Sequence, residues 1–176
     1  MRIEWIGCHP QHVAVLARWH HAEWGALYDD WTLPVATAEL EDHTRRASLP
    51  TTLVLLDGDT LMGSVSLLME DAPELQDRGS PWLASLFVSP EARGRGGGRH
   101  LVEAAVAHAA AQGVERLRLF TLWHEDFYSG LGWELEERAQ LHGVPISIMG
   151  IVPARHVAES PPPSLPYPLQ TTGTRA

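Results

Sequence analysis

The chain has 176 residues, 44% of them hydrophobic and 20% charged, and carries a formal net charge of −9. This is the composition of an ordinary globular domain with material for one core. The acidic balance argues against a protein that coats nucleic acid, and suits one that draws cationic small molecules. A single cysteine, Cys8, excludes both an internal disulfide framework and a multi-cysteine zinc site.

Taken in order, "RIEWIG" reads as a first strand, and Cys8 beside it as a small core residue. After a turn at His9-Pro10, Val13, Ala14, Leu16 and Ala17 predict a helix continuing towards Trp24. Gly25 and "DDWTLP" break it, and a second helix is expected from Val35 to Ser48. "TTLVLLDGDTLMGSVSLLME" is a hairpin folded about Asp57-Gly58. A polar loop, "DAPELQDRGSP", leads to "WLASLFV", apolar almost throughout, as a strand covered on both faces should be.

A helix with Leu101, Val102, Ala105, Val106 and Ala109 on one face follows and ends at Gly113. "ERLRLFTL" alternates, with Leu117, Leu119 and Thr121 on one side. "HEDFYSGLGW" is a short helix closed by a glycine turn, and "ELEERAQ" and "VPISIMGIV" pair through His142-Gly143. The order β-α-α-β-β-β-α-β-α-β-β gives an α+β domain over residues 1–152, a mixed sheet with helices. From 153 to 176 proline, serine and threonine dominate, and an extended, disordered tail is expected. "MRIEWIGCHP" lacks the pattern of a signal peptide and no stretch approaches a membrane span, so a cytoplasmic protein is expected.

The segment "SPEARGRGGGRH" carries the chemistry. An arginine–glycine run can be a disordered tract that wraps RNA, but this one follows a buried strand and opens an amphipathic helix. At a helix start the first amides lack intrahelical partners and the dipole is positive. Glycines keep Cβ atoms away and let several amides aim at one spot, which makes a phosphate cradle. Arg93, Arg95 and Arg99 add charge. No G-x-x-x-x-G-K-[ST] is present, and a dinucleotide G-x-G-x-x-G would need glycine at Arg99.

With Arg93-Gly94-Arg95-Gly96-Gly97-Gly98 after a strand, and Phe127-Tyr128 followed by Leu131-Gly132-Trp133, the chain resembles the GCN5-related N-acetyltransferases. The resemblance covers roughly Thr51 to Val152; the first fifty residues match by element order alone. It implies a mostly antiparallel sheet with helices on both faces, splayed between its fourth and fifth strands to hold acetyl-CoA. The pyrophosphate would rest on amides from Arg93 to Arg99, and the pantetheine arm would pair with the backbone of Leu86, Phe87 and Val88. The reaction would be direct attack of a primary amine on the thioester, with Tyr128 as general acid.

The general base is open. "WLASLFV" holds no acid, which departs from some members of the family, and Glu70, Asp71, His124 and a water chain are the candidates. The segment "TLWHED" also departs from the family's usual polar position ahead of Phe-Tyr. "HAEWGALYDDWT" offers an acceptor pocket: Trp24, Tyr28 and Trp31 for aromatic faces, with Glu23, Asp29 and Asp30 as acids. Glu74 and Asp77 could approach it as well. The acceptor is a small-molecule amine or, alternatively, a protein N-terminus, and a homodimer through the C-terminal strands is compatible with the family. A second class of function also fits: an acyl-CoA-binding regulatory module with little catalysis. Ten histidines raise the question of a metal, but His9-x-x-His12 is too sparse and His124-Glu125 meets Tyr128 where a second histidine would stand. No metal is expected, and His100 and His108 are read as solvated.

Overall fold

The computed structural model describes residues 1–159. Seven strands form one sheet: β1 (Arg2–Trp5), β2 (Thr51–Asp57), β3 (Thr60–Leu68), β4 (Trp82–Val88), β5 (Leu117–Thr121), β6 (Glu134–Leu141) and β7 (Val144–Ile151). Their order is β1-β2-β3-β4-β5-β7-β6, and every neighbouring pair is antiparallel except β4 and β5, which run parallel. The helices are α1 (Val13–Trp24), α2 (Leu33–His43), α3 (Gly97–Ala111), α4 (Glu125–Ser129) and α5 (Pro153–Glu159).

β2 shows why its sequence is apolar on both faces. Leu53 and Leu55 face α3 in one core cluster, whereas Val54 and Leu56 face α1 and α2 in another. A third, smaller cluster joins Trp82, Ile146 and Ile148 to Leu75 of the short helical turn Pro73–Arg78. On the α1/α2 side the sheet also carries buried polar groups. His20 Nε2 is hydrogen-bonded to Ser64 Oγ at 2.8 Å, and His43 Nδ1 to Thr52 Oγ1 at 2.8 Å, which reaches Ser66 Oγ at 2.9 Å.

Several local expectations change. The second helix runs from Leu33 to His43, set early by Thr32 and Pro34 at its start. Cys8 is exposed, because β1 ends at Trp5 and a 3-10 turn follows. His108 is buried, not solvated, with Nε2 hydrogen-bonded to Ala47 O at 2.7 Å; His100 is exposed. The tail expected from Pro153 begins instead with α5, which packs against α3; residues 160–176 lie outside the described part.

Candidate active site

The site starts from a break in the sheet. β4 and β5 pair only at Trp82 and Arg118, near their beginnings, and then diverge. Beyond that point the β5-side edge of β4 has no strand partner, while its other edge stays paired with β3 through Phe87–Ser64 and Val88–Gly63. Between Ala84 and Phe87 β4 carries one residue more than β3 does opposite it, and Ser85 sits at φ 50°. Such a bulge bends the strand and turns its side chains, at a backbone cost that a rigid surround must bear.

At the end of β4 lies the glycine segment. Gly94 and Gly96 have φ of 73° and 81°, conformations that a side chain disfavours. The first bond of α3 is from His100 N to Gly96 O, at 3.1 Å, and no side chain caps the helix. The amides of Gly97, Gly98 and Arg99 are therefore left to a ligand or to solvent. A Cβ at Gly94 would meet nothing within 4 Å, and at Gly96 only His100 Cε1 at 3.9 Å, so the space in front of this backbone is open. The arginines are less free than the sequence implies. Arg93 Nε donates to Val88 O (3.1 Å), Arg95 pairs with Asp57 (3.1 Å) and Arg99 with Glu103 (3.5 Å).

On the other side of the splay a cleft of about 1040 Å³ opens between α1, α2 and the ends of β4 and β5. Trp24, Tyr28 and Trp31 all line it, as do Ser85, Leu86, His124 and Tyr128. Phe87 and Val88 do not, and Glu70 is exposed outside it; its neighbour Asp71 forms the wall instead. Glu74 reaches the cleft and Asp77 does not. Trp123 stands at the mouth, 80% exposed.

Tyr128 is buried in α4, edge-on to Phe127 (5.0 Å) and Trp133 (6.1 Å). Its helix is fixed by Glu125, which accepts from Ser147 Oγ at 2.8 Å and pairs with Arg138 at 3.1 Å. Burial, and then the charge of Asp71, push the Tyr128 hydroxyl above the usual phenol range. Asp71 is packed round by protein atoms, with part of its surface open to the cleft. Burial first, and the Glu39 carboxylate second, raise it to about 7. Glu39 is itself raised by burial, against the pull of the Trp31 indole, whose Nε1 donates to Oε2 at 3.1 Å. Burial with Asp71 and Glu74 also raises Tyr28.

Sequence reasoning missed two members of this wall. Glu39 stands on α2, a helix from which the sequence singled out no site residue, and lines the cleft. His142 lay in a turn, yet it faces Tyr28 edge-on at 5.9 Å and meets Glu74 at 3.6 Å. Among the described residues no group of three or more His, Cys, Asp or Glu is arranged to hold a metal ion, and no helix is long and apolar enough to cross a membrane.

A splayed β4–β5 pair, an uncapped glycine-rich helix start and a tyrosine across the opening define a coenzyme A-dependent acyltransferase fold. Residues 15–133 match the acetyltransferase (GNAT) family, and the chain belongs to it. None of the curated proteins matches the chain. Among solved structures, an aminoglycoside 6'-N-acetyltransferase complexed with coenzyme A is 17% identical with a TM-score of 0.67, over 87% of this chain and 97% of that one. An aminoglycoside 6'-acetyltransferase type Ii is 21% identical, TM-score 0.65, over 87% and 97%. A variant of spermidine N-acetyltransferase from Vibrio cholerae is 15% identical, TM-score 0.62, over 91% and 99%. At these identities the likeness is one of fold. Family membership makes the protein a GNAT-type acetyltransferase, a class whose acetyl donor is acetyl-CoA.

Proposed function

We propose that the protein transfers the acetyl group of acetyl-CoA to a primary amine of a small molecule. The observation that carries this reading is the β4–β5 splay, with the bare amides of α3 beyond the end of β4 and a cleft lined by Asp71 and Tyr128 on its other side. The amides of Gly97, Gly98 and Arg99 would hold the pyrophosphate, with the guanidinium groups of Arg93, Arg95 and Arg99 nearby for further phosphates. The unpaired edge of β4, at Leu86 to Val88, would take the amide-bearing arm as an added strand takes its neighbour. The donor supplies an acetyl group activated as a thioester.

Asp71 is the base in this reading. Held near 7, it takes a proton from an arriving ammonium and leaves a neutral amine able to attack. Tyr128 keeps its proton at physiological pH and holds it for the departing sulfur. The ordinary pKa values, about 10 for a phenol and about 8.5 for a thiol, oppose that transfer. The burial and negative charge that raise Tyr128 also raise the proton affinity of a thiolate forming beside it, so the two shifts offset and the transfer stays uphill by about 2 kcal/mol, which the downhill conversion of a thioester to an amide carries forward. His124, exposed on the cleft's rim as the residue before α4, would pass the proton from Asp71 to solvent.

The test is thiol release from acetyl-CoA with a panel of primary amines, for the wild type and Tyr128→Phe. Amine-dependent release that falls by about 10²- to 10⁴-fold in the variant supports the assignment. An unchanged rate would remove Tyr128 from the chemistry, and no amine-dependent release with any acceptor would remove the proposed reaction.

A further inference from the structure

The wall of the cleft is unusual in its charges. Six acids line it (Glu23, Asp29, Asp30, Glu39, Asp71 and Glu74), and neither lysine nor arginine does. Only His124 and His142 could offset them. Two of the acids are withdrawn from solvent and short of partners. Asp71, enclosed except towards the cleft, makes no hydrogen bond with any described residue. Glu39 has one, from the Trp31 indole to Oε2, which leaves Oε1 without a described partner. A neutral N–H donor does not cancel a carboxylate's charge, and the two acids are close enough for Glu39 to raise the proton affinity of Asp71. Like charges kept desolvated without a cation are costly, and the missing charge is one a ligand can bring.

We propose that the acceptor carries two cationic nitrogens, one presented to Asp71 and Tyr128 for acetylation and the other held by Glu39 beside Trp31. This inference rests on reading the cleft as the acceptor site. A diamine satisfies both carboxylates, whereas a monoamine leaves one unpaired and a carboxylate-bearing amine adds repulsion. The indole of Trp31 and the rings of Trp24 and Tyr28 give the second ammonium π faces and its methylene chain an apolar lining. The acids at Glu23, Asp29 and Asp30 extend the same field to the rim, where it speeds the approach of a cation.

The chain makes the assay clean, since all thirteen of its Lys and Arg residues are arginine and self-acetylation on lysine cannot occur. The experiment compares α,ω-diamines of propyl to octyl length with n-alkylamines and ω-aminocarboxylates of the same lengths. It reads both kcat/KM with acetyl-CoA and equilibrium binding by calorimetry without it. The expected result is a best diamine favoured over its monoamine by at least about tenfold, or ~1.4 kcal/mol, with the aminocarboxylate weakest. That ratio should shrink with added salt and move towards one in Glu39→Gln, which can still accept from Trp31. Equal values for diamine and monoamine, with acetyl transfer intact, would overturn the inference and leave the acetyltransferase reading standing. Absence of acetyl-CoA binding would overturn both.

Discussion

Asp71→Asn is expected to slow catalysis by about 10²- to 10⁴-fold and to stabilise the protein at the same time. Asp71 moves from an ordinary 3.8 to about 7, with burial as the larger cause and Glu39 the smaller. A carboxyl whose folded pKa is raised favours the folded state only while it is protonated. Its contribution is complete below the unfolded value and is lost as pH rises towards 7. Three units correspond to ~4 kcal/mol, an upper bound because part of Asp71 faces the open cleft. Asparagine keeps the shape without the charge, so the gain over wild type should be near zero at pH 4 and largest above pH 7. For a domain of this size ~2–4 kcal/mol would raise Tm by about 5–15 °C. Thermal unfolding of both proteins from pH 4 to 8 reads this directly. In parallel, kcat/KM should rise through pH 7 in the wild type and lie about 10²- to 10⁴-fold lower in the variant, with that limb gone. A variant less stable at pH 8 than the wild type, with activity retained, would refute the reasoning at both points.

The buried histidines predict the opposite pH dependence. Burial, with His43 as a secondary cause, holds His20 down at about 4, and burial holds His43 at about 4. Both stay neutral when folded, so their stabilisation is present above the unfolded value of about 6.5 and is lost as pH falls towards 4, by ~3 kcal/mol each at the limit. Denaturant titrations between pH 4 and 7 should show that slope reduced in His43→Gln, and an unchanged slope would contradict it. Leu101→Ala, at a fully buried position of the α3 cluster, should cost about 2–5 kcal/mol by denaturant unfolding. A loss below 1 kcal/mol would mean that α3 is not packed as described.

Much of this fold was legible because burial leaves a periodic mark. β2 and β4 lie between helices on both faces and read as apolar runs, and β5 alternates because Leu117, Leu119 and Thr121 are buried while Arg118 and Phe120 are only partly so. The uncapped start of α3 was legible for a local reason, since strand, glycines and amphipathic helix are contiguous. The acidic wall was legible only in part: Glu23, Asp29, Asp30, Glu74 and Asp71 stood out as candidates, whereas Glu39 and His142 come from α2 and a hairpin turn and only the fold brings them to the cleft. Asp71 and Glu70 were equal candidates until the end of β3 fixed which one faces inward. His108 looked solvated because its partner, Ala47 O, lies 61 residues away in sequence.

The central claim, that the start of α3 binds the coenzyme, is tested most directly at Gly98. A Cβ there would meet Phe127 Cζ at 3.7 Å and Val88 Cγ2 at 3.8 Å, ordinary contacts, and φ at this position needs no glycine. Gly98→Glu puts a negative charge on the first turn of a helix, where it favours the fold by about 0.3–1 kcal/mol, but it repels phosphate from the same amides. Calorimetric titration with acetyl-CoA should find binding in the wild type and a loss of 100-fold or more in a variant with equal or higher Tm. Undiminished affinity in that folded variant would contradict the account.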